Sequence, residues 1–290
     1  MLQERLIYFP AGDPGMPPEP WKEFEVASTD GVDLTAWVRV DDTATDRPVV
    51  IVFPGNAGNR AGRIPLGNAL ADAGYGVVLS EYRGYGGNPG SPSEDGIISD
   101  ALATAAAIRR RLPSNGGLVY FGESLGAAVA IAAAEQDRPD ALVLGSPFTS
   151  MTDVGRYHYP WLPVSALLRD RYPSLERIET AELDGIPALV LGGTSDGTVP
   201  IEQSRRIATA LGAFVHEVEG ADHNDAAIRS APSMVAVVAE FLADALGGQP
   251  EDAFRANDGT GGDEPCQFVA SIEGFVQQRD ARTVFQVIRV

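Results

Sequence analysis

Short apolar runs, most of them continuously apolar, recur along this chain, separated by stretches of helical character. The runs cover residues 49–53, 77–80, 118–121, 141–144, 188–191 and 214–218, and are rich in Val, Leu and Ile. A strand wetted on one side alternates apolar with polar residues, whereas a strand covered on both faces does not. The intervening stretches, 61–73, 93–111, 125–135, 201–210 and 226–245, are long enough to cross back over a sheet. Such alternation restricts the chain to βαβ units, and so to a mostly parallel central sheet flanked by helices. Segments 24–27 and 32–40 flank Thr29-Asp30-Gly31, and Asp-Gly between two such segments signals an N-terminal antiparallel hairpin. The helix at 93–111 carries a start signal in Ser91-Pro92-Ser93-Glu94, with Ser91 as cap, Pro92 at the first position and Glu94 at the third.

Two stretches break the rhythm. Residues 151–185 are too long for an ordinary loop, hold Tyr157, His158, Tyr159, Trp161 and Tyr172, and read as a small helical cap insertion. From residue 246 onward an acidic, Gly-rich linker (247–265) leads to a tail. There Phe268, Ile272, Phe275 and Val276 recur at helical spacing and 284–290 is strand-like. The expected organisation is one domain over residues 1–245 and a tail, 246–290, of unassigned role.

Composition narrows the partners. The 22 basic and 40 acidic residues give a net charge of −18, which repels phosphate backbones and anionic membranes and argues against nucleic acid as the partner. The single cysteine, Cys266, rules out an internal disulfide and a thiolate metal cluster. With three histidines, His158, His216 and His223, no metal site and no cofactor is expected. Residues 1–10 lack the basic start and apolar core of a signal peptide, and no run approaches the 18 apolar residues of a membrane span. A cytoplasmic chain without integral membrane association is the expectation; oligomeric state is left open.

Gly122-Glu123-Ser124-Leu125-Gly126 fits G-x-S-x-G, a pattern that is weak alone. Its context strengthens it, because an apolar strand ends just before it and an Ala-rich helix former follows. A tight turn there lifts the Ser124 hydroxyl off the sheet beside a helix N-terminus. A serine nucleophile needs a base, and the base needs an orienting carboxylate. Around such an elbow they follow in the order Ser, acid, His. His158 comes too early, and His216 alternates within 214–218, where it points to a sheet face. His223, in the polar loop Gly220-Ala221-Asp222-His223-Asn224-Asp225, is the base by elimination. Asp196 follows the strand at 188–191 and so can share the sheet edge with Ser124. Asp184 lies at the opposite edge, and Asp222 and Asp225 read as caps of the next helix. The loop Pro54-Gly55-Asn56-Ala57-Gly58-Asn59 can supply an oxyanion N–H beside that of Leu125. Position favours Asn56, with Ala57 the near alternative. The loop lacks the signatures of a nucleotide-phosphate site.

The segments at 53–59, 81–86, 90–96, 122–126, 146–151, 193–200 and 220–225 together resemble the α/β-hydrolase superfamily. More narrowly, they resemble its serine-aminopeptidase-like branch, which includes the ABHD depalmitoylases. The resemblance covers about residues 5–245. It implies the α/β-hydrolase fold, with nucleophile, acid and base at Ser124, Asp196 and His223. The His-Gly pair usual before the oxyanion loop is Pro54-Gly55 here. The expected function is hydrolysis of a carboxylic ester or thioester, a neutral small molecule given the charge. Tyr157, His158 and Trp161 are candidate pocket residues. A peptidase or amidase with the same triad, and a non-catalytic binding protein on this fold, are the alternatives.

Overall fold

The computed structural model describes residues 3–40, 46–112 and 116–247. The linker and tail expected after residue 247 lie outside the described residues. A one-turn helix α1 (Glu4–Ile7) leads into a two-residue strand β1 (Phe9–Pro10). The hairpin follows as β2 (Lys22–Ala27) and β3 (Asp33–Arg39). β2 alternates buried and exposed residues because it lies at one edge of the sheet, wet on one face.

Next come β4 (Val49–Phe53), the short β5 (Ala57–Gly58), α2 (Ile64–Asp72), β6 (Gly76–Leu79) and α3 (Glu94–Arg111). Then follow β7 (Leu118–Glu123), α4 (Leu125–Ala134) and β8 (Ala141–Gly145). The insertion folds as α5 (Met151–His158), α6 (Val164–Leu167) and α7 (Ser174–Thr180). The chain returns through β9 (Ala188–Gly193), α8 (Ile201–Leu211), β10 (Phe214–Val218), α9 (Ala226–Arg229) and α10 (Pro232–Leu246).

Eight strands form one sheet in the order β10-β9-β8-β7-β4-β6-β3-β2. It is parallel from β10 to β6, and antiparallel where β3 meets β6 and β2. Every residue of β4, β7, β8 and β9 is buried, which is why these segments show no alternation. Apolar clusters fill both faces, one beneath α3, α4 and α8, the other beneath α2 and α10. All ten residues of α4 are buried, so its Ala-rich surface packs on the sheet below and on α3 and α7 around it.

Three local expectations are corrected. The cap of α3 is Ser93, whose hydroxyl accepts from the Gly96 N–H at 3.2 Å, and not Ser91. Glu94 therefore opens the helix, and its carboxylate accepts from the Arg171 and Tyr172 N–H groups of the insertion. The helix expected over 226–245 is broken at Ser230–Ala231, because Pro232 forces the residue before it into extended backbone. Asp222 caps no helix; its carboxylate is engaged elsewhere, as described below. The stretch Ala226–Leu246 is also long and apolar enough to cross a membrane by length and composition alone. Here Met234, Val235, Val238 and Leu242 of α10 are buried in the core cluster shared with α2.

Candidate active site

The carboxyl ends of β4, β7, β9 and β10 meet at one edge of the sheet. Between β7 and α4 the backbone turns so sharply that Ser124 sits at φ 53°, ψ −111°, a region costly for a residue with a Cβ. Its N–H is fixed on the Gly145 carbonyl at 2.8 Å. The flanking glycines are required by close approach. A Cβ on Gly122 would lie 2.5 Å from the Ala127 Cα, and one on Gly126 would strike the carbonyls of Phe53 and Pro54. The elbow thus seats the start of α4 directly against the end of β4 and the loop that follows.

His223 and Asp196 reach this serine from two neighbouring loops. His223 Nε2 lies 3.0 Å from Ser124 Oγ, and His223 Nδ1 lies 2.7 Å from Asp196 Oδ2. Asp196 is buried, and its other oxygen accepts from the backbone N–H groups of Thr198 (2.9 Å) and Val199 (2.7 Å). A carboxylate only accepts, so the proton between Asp196 and the ring belongs to Nδ1, leaving the Nε2 lone pair toward the serine hydroxyl. Asp222 ties the two loops together: its Oδ1 accepts from the N–H groups of Gly197 (2.9 Å) and His223 (2.7 Å). Those two donors hold its carboxyl below the usual aspartate range. Asp225 Oδ2 in turn accepts from the Asp222 N–H.

Opposite the histidine runs the loop of Asn56. Its backbone N–H and that of Leu125, the first of α4, have no acceptor among the described residues. The Asn56 carbonyl accepts from the Phe9 N–H and the Tyr85 hydroxyl, each at 2.9 Å, and its side chain donates to the Ile7 carbonyl at 2.8 Å. β1 pairs with β5, and the Ala11 N–H bonds the Gly58 carbonyl, so residues 7–11 strap this loop from outside.

The aromatic candidates lie on the insertion. Tyr157 and Trp161 are exposed there, in a ladder with His158 and Tyr159 in which the outer two ring pairs meet edge-on and the middle pair is tilted. His158 is joined to the acid loop through a 2.9 Å bond between Nε2 and the Thr198 carbonyl. His216 is half-buried in β10 opposite Leu191, where burial holds its pKa below the usual value.

Sequence reasoning missed the residues that support these loops. The strap of residues 7–11 gave no periodic signal. Behind the Asn56 loop, buried Glu81 accepts from the Arg60 N–H at 2.6 Å, and Arg60 lies 5.0 Å from the Trp37 ring. Burial pushes the Glu81 carboxyl up to about 7. Both residues fall in polar loops, where nothing but the fold reveals that they are buried. Among the described residues no three His, Cys, Asp or Glu side chains converge as a metal would require.

Residues 48–175 match the family described as alpha/beta hydrolase fold, and residues 169–252 match one described as TAP-like protein. An uncharacterized protein of Mycobacterium tuberculosis is 42% identical over 248 residues, covering 83% of this chain and 87% of its own length. Protein bem46 of Schizosaccharomyces pombe is 31% identical over 262 residues, covering 83% of this chain and 86% of its own. The lysophosphatidylserine lipase ABHD12 of Danio rerio is 33% identical over 183 residues, 56% of this chain and 47% of that protein. Among solved structures, the Pyrococcus furiosus esterase Pf2001 superposes with a TM-score of 0.67 at 20% identity, covering 83% of this chain and 98% of that one. The strand order described above and these matches agree: the chain belongs to the α/β-hydrolase fold family.

Proposed function

We propose that this hydrolase acts on a carboxylic ester or thioester through an acyl-enzyme on Ser124. The observation that carries the reading is the continuous bonded series Ser124–His223–Asp196, set at a strained elbow. Ser124 Oγ attacks the acyl carbon as its proton passes to His223 Nε2, and Asp196 stabilises the imidazolium that forms. The N–H groups of Leu125 and Asn56 bind the oxyanion; a lost donor of this kind costs about 2.7–4 kcal/mol. His223 then delivers the proton to the leaving alcohol or thiol, and water, activated by the same base, releases the acid.

The esterase and lipase among the similar proteins support an acyl ester as substrate. The net charge of −18 favours a neutral one. His158, bonded to the acid loop, and the exposed Tyr157 and Trp161 of the same insertion offer apolar surface for its hydrophobic portion. Under this reading Trp161→Ala loses more kcat/KM on long-chain than on short-chain nitrophenyl esters, and equal losses would remove these residues from the pocket.

A fluorophosphonate probe tests the whole reading. The wild type is expected to be labelled and Ser124→Ala to remain unlabelled. No labelling of the wild type would favour a binding protein on this fold. Faster cleavage of aminoacyl nitroanilides than of nitrophenyl esters would favour a peptidase.

A further inference from the structure

The residue before the nucleophile is a buried acid, and burying a carboxylate is unfavourable unless its charge is matched. Glu123 is 7% exposed. Its Oε2 accepts from Arg63 Nε at 2.9 Å, and its Oε1 lies 3.6 Å from Arg229 Nε. Each guanidinium also holds a second loop. Arg63 Nη1 donates to the Ala57 carbonyl at 3.2 Å, and the same group lies so close to Gly58 that a Cβ there would be 3.3 Å from it. Arg229 Nη1 donates to Asn224 Oδ1, one residue past His223, at 3.1 Å.

The geometry points to Glu123 as the hub of an Arg63–Glu123–Arg229 ion cluster that sets the positions of nucleophile, oxyanion loop and base relative to one another. The three are positioning residues and act through Ser124, the Asn56 N–H and His223, so this inference rests on the serine-hydrolase reading. One carboxylate rigidly attached to the elbow cannot shift without moving both guanidiniums. If either loop drifts, it breaks a guanidinium hydrogen bond, on the Arg63 side next to a buried ion pair.

The test is steady-state hydrolysis of a nitrophenyl ester, with kcat expressed per fluorophosphonate-titrated site. Arg63→Lys keeps the charge and loses the forked reach; Glu123→Gln keeps the shape and loses the charge. Each is expected to lower kcat about 10- to 100-fold with little change in KM, because misplacement is felt in the transition state. The double variant is expected to be no slower than the slower single one, as for residues acting as a unit. A kcat per site within about twofold of wild type in both single variants, or fully additive losses in the double one, would overturn the cluster's role. Arg229, partly open to solvent, keeps the test available if the buried variants fail to fold. Arg229→Ala is expected to lower kcat about threefold or more, and an unchanged kcat would also overturn the role. A wild type that neither labels nor turns over would instead refute the serine-hydrolase reading itself.

Discussion

Replacing Asp196 by Asn is expected to lower kcat by a factor on the order of 10⁴ while leaving the fold in place. The division of labour between the two carboxylate oxygens makes this a clean experiment. Oδ1 holds the loop through the Thr198 and Val199 N–H groups, and an amide oxygen serves there equally well. Oδ2 faces His223 Nδ1, where an amide nitrogen presents hydrogens instead of lone pairs. The imidazole must then accept at Nδ1 and carry its proton on Nε2, toward Ser124, where it can no longer act as the base. Thermal denaturation should show a Tm close to wild type, with the loss in kcat and not in KM. A variant retaining more than about a tenth of wild-type kcat would mean that Asp196 does not orient the base.

Gly126→Ala is expected to be the most damaging of the glycine substitutions at the elbow. Its methyl group would collide with the Phe53 carbonyl, where β4 ends, and with that of Pro54 in the oxyanion loop. Backbone at a buried strand end has nowhere to move, so a cost of about 3 kcal/mol or more follows. Chemical denaturation of Gly126→Ala and wild type side by side measures it. Gly212→Ala is a useful contrast: Gly212 has φ 62°, but a Cβ there meets nothing within 4 Å, so only the backbone cost of about 1 kcal/mol applies. Equal stability losses for the two would show that close packing at the elbow is not what fixes the glycine.

The parallel sheet was legible because its central strands, β4, β7, β8 and β9, are buried on both faces. Residues 49–53 and 214–218 span β4 and β10 as read, and the other runs differ by a residue or two at their ends. Chain order was enough to single out His223 and Asp196 as candidates, because the loops past β9 and β10 come after the elbow in sequence and reach the edge where β7 delivers Ser124. Whatever lacked a period was harder to see. Phe9–Pro10 pairs with Ala57–Gly58 across two residues only, too short to carry alternation. Ser91 and Ser93 offer the same cap chemistry, and the choice fell to the tertiary contacts of Glu94 with the insertion. Glu123, Arg63 and Arg229 come from three distant segments, so their association exists only in the folded chain.

The strap over the Asn56 loop bears on how an oxyanion would be received. The loop is gripped by Ile7, Phe9 and Ala11 on one side and by the Tyr85 hydroxyl on the other, through bonds of 2.8–2.9 Å. A loop so gripped holds its free N–H dipoles in place before any substrate arrives. Water in the same position would have to turn its dipoles toward the new charge during the reaction, at a cost that appears in the barrier. Here that ordering is completed when the chain folds, and the first dozen residues of the sequence take part in it.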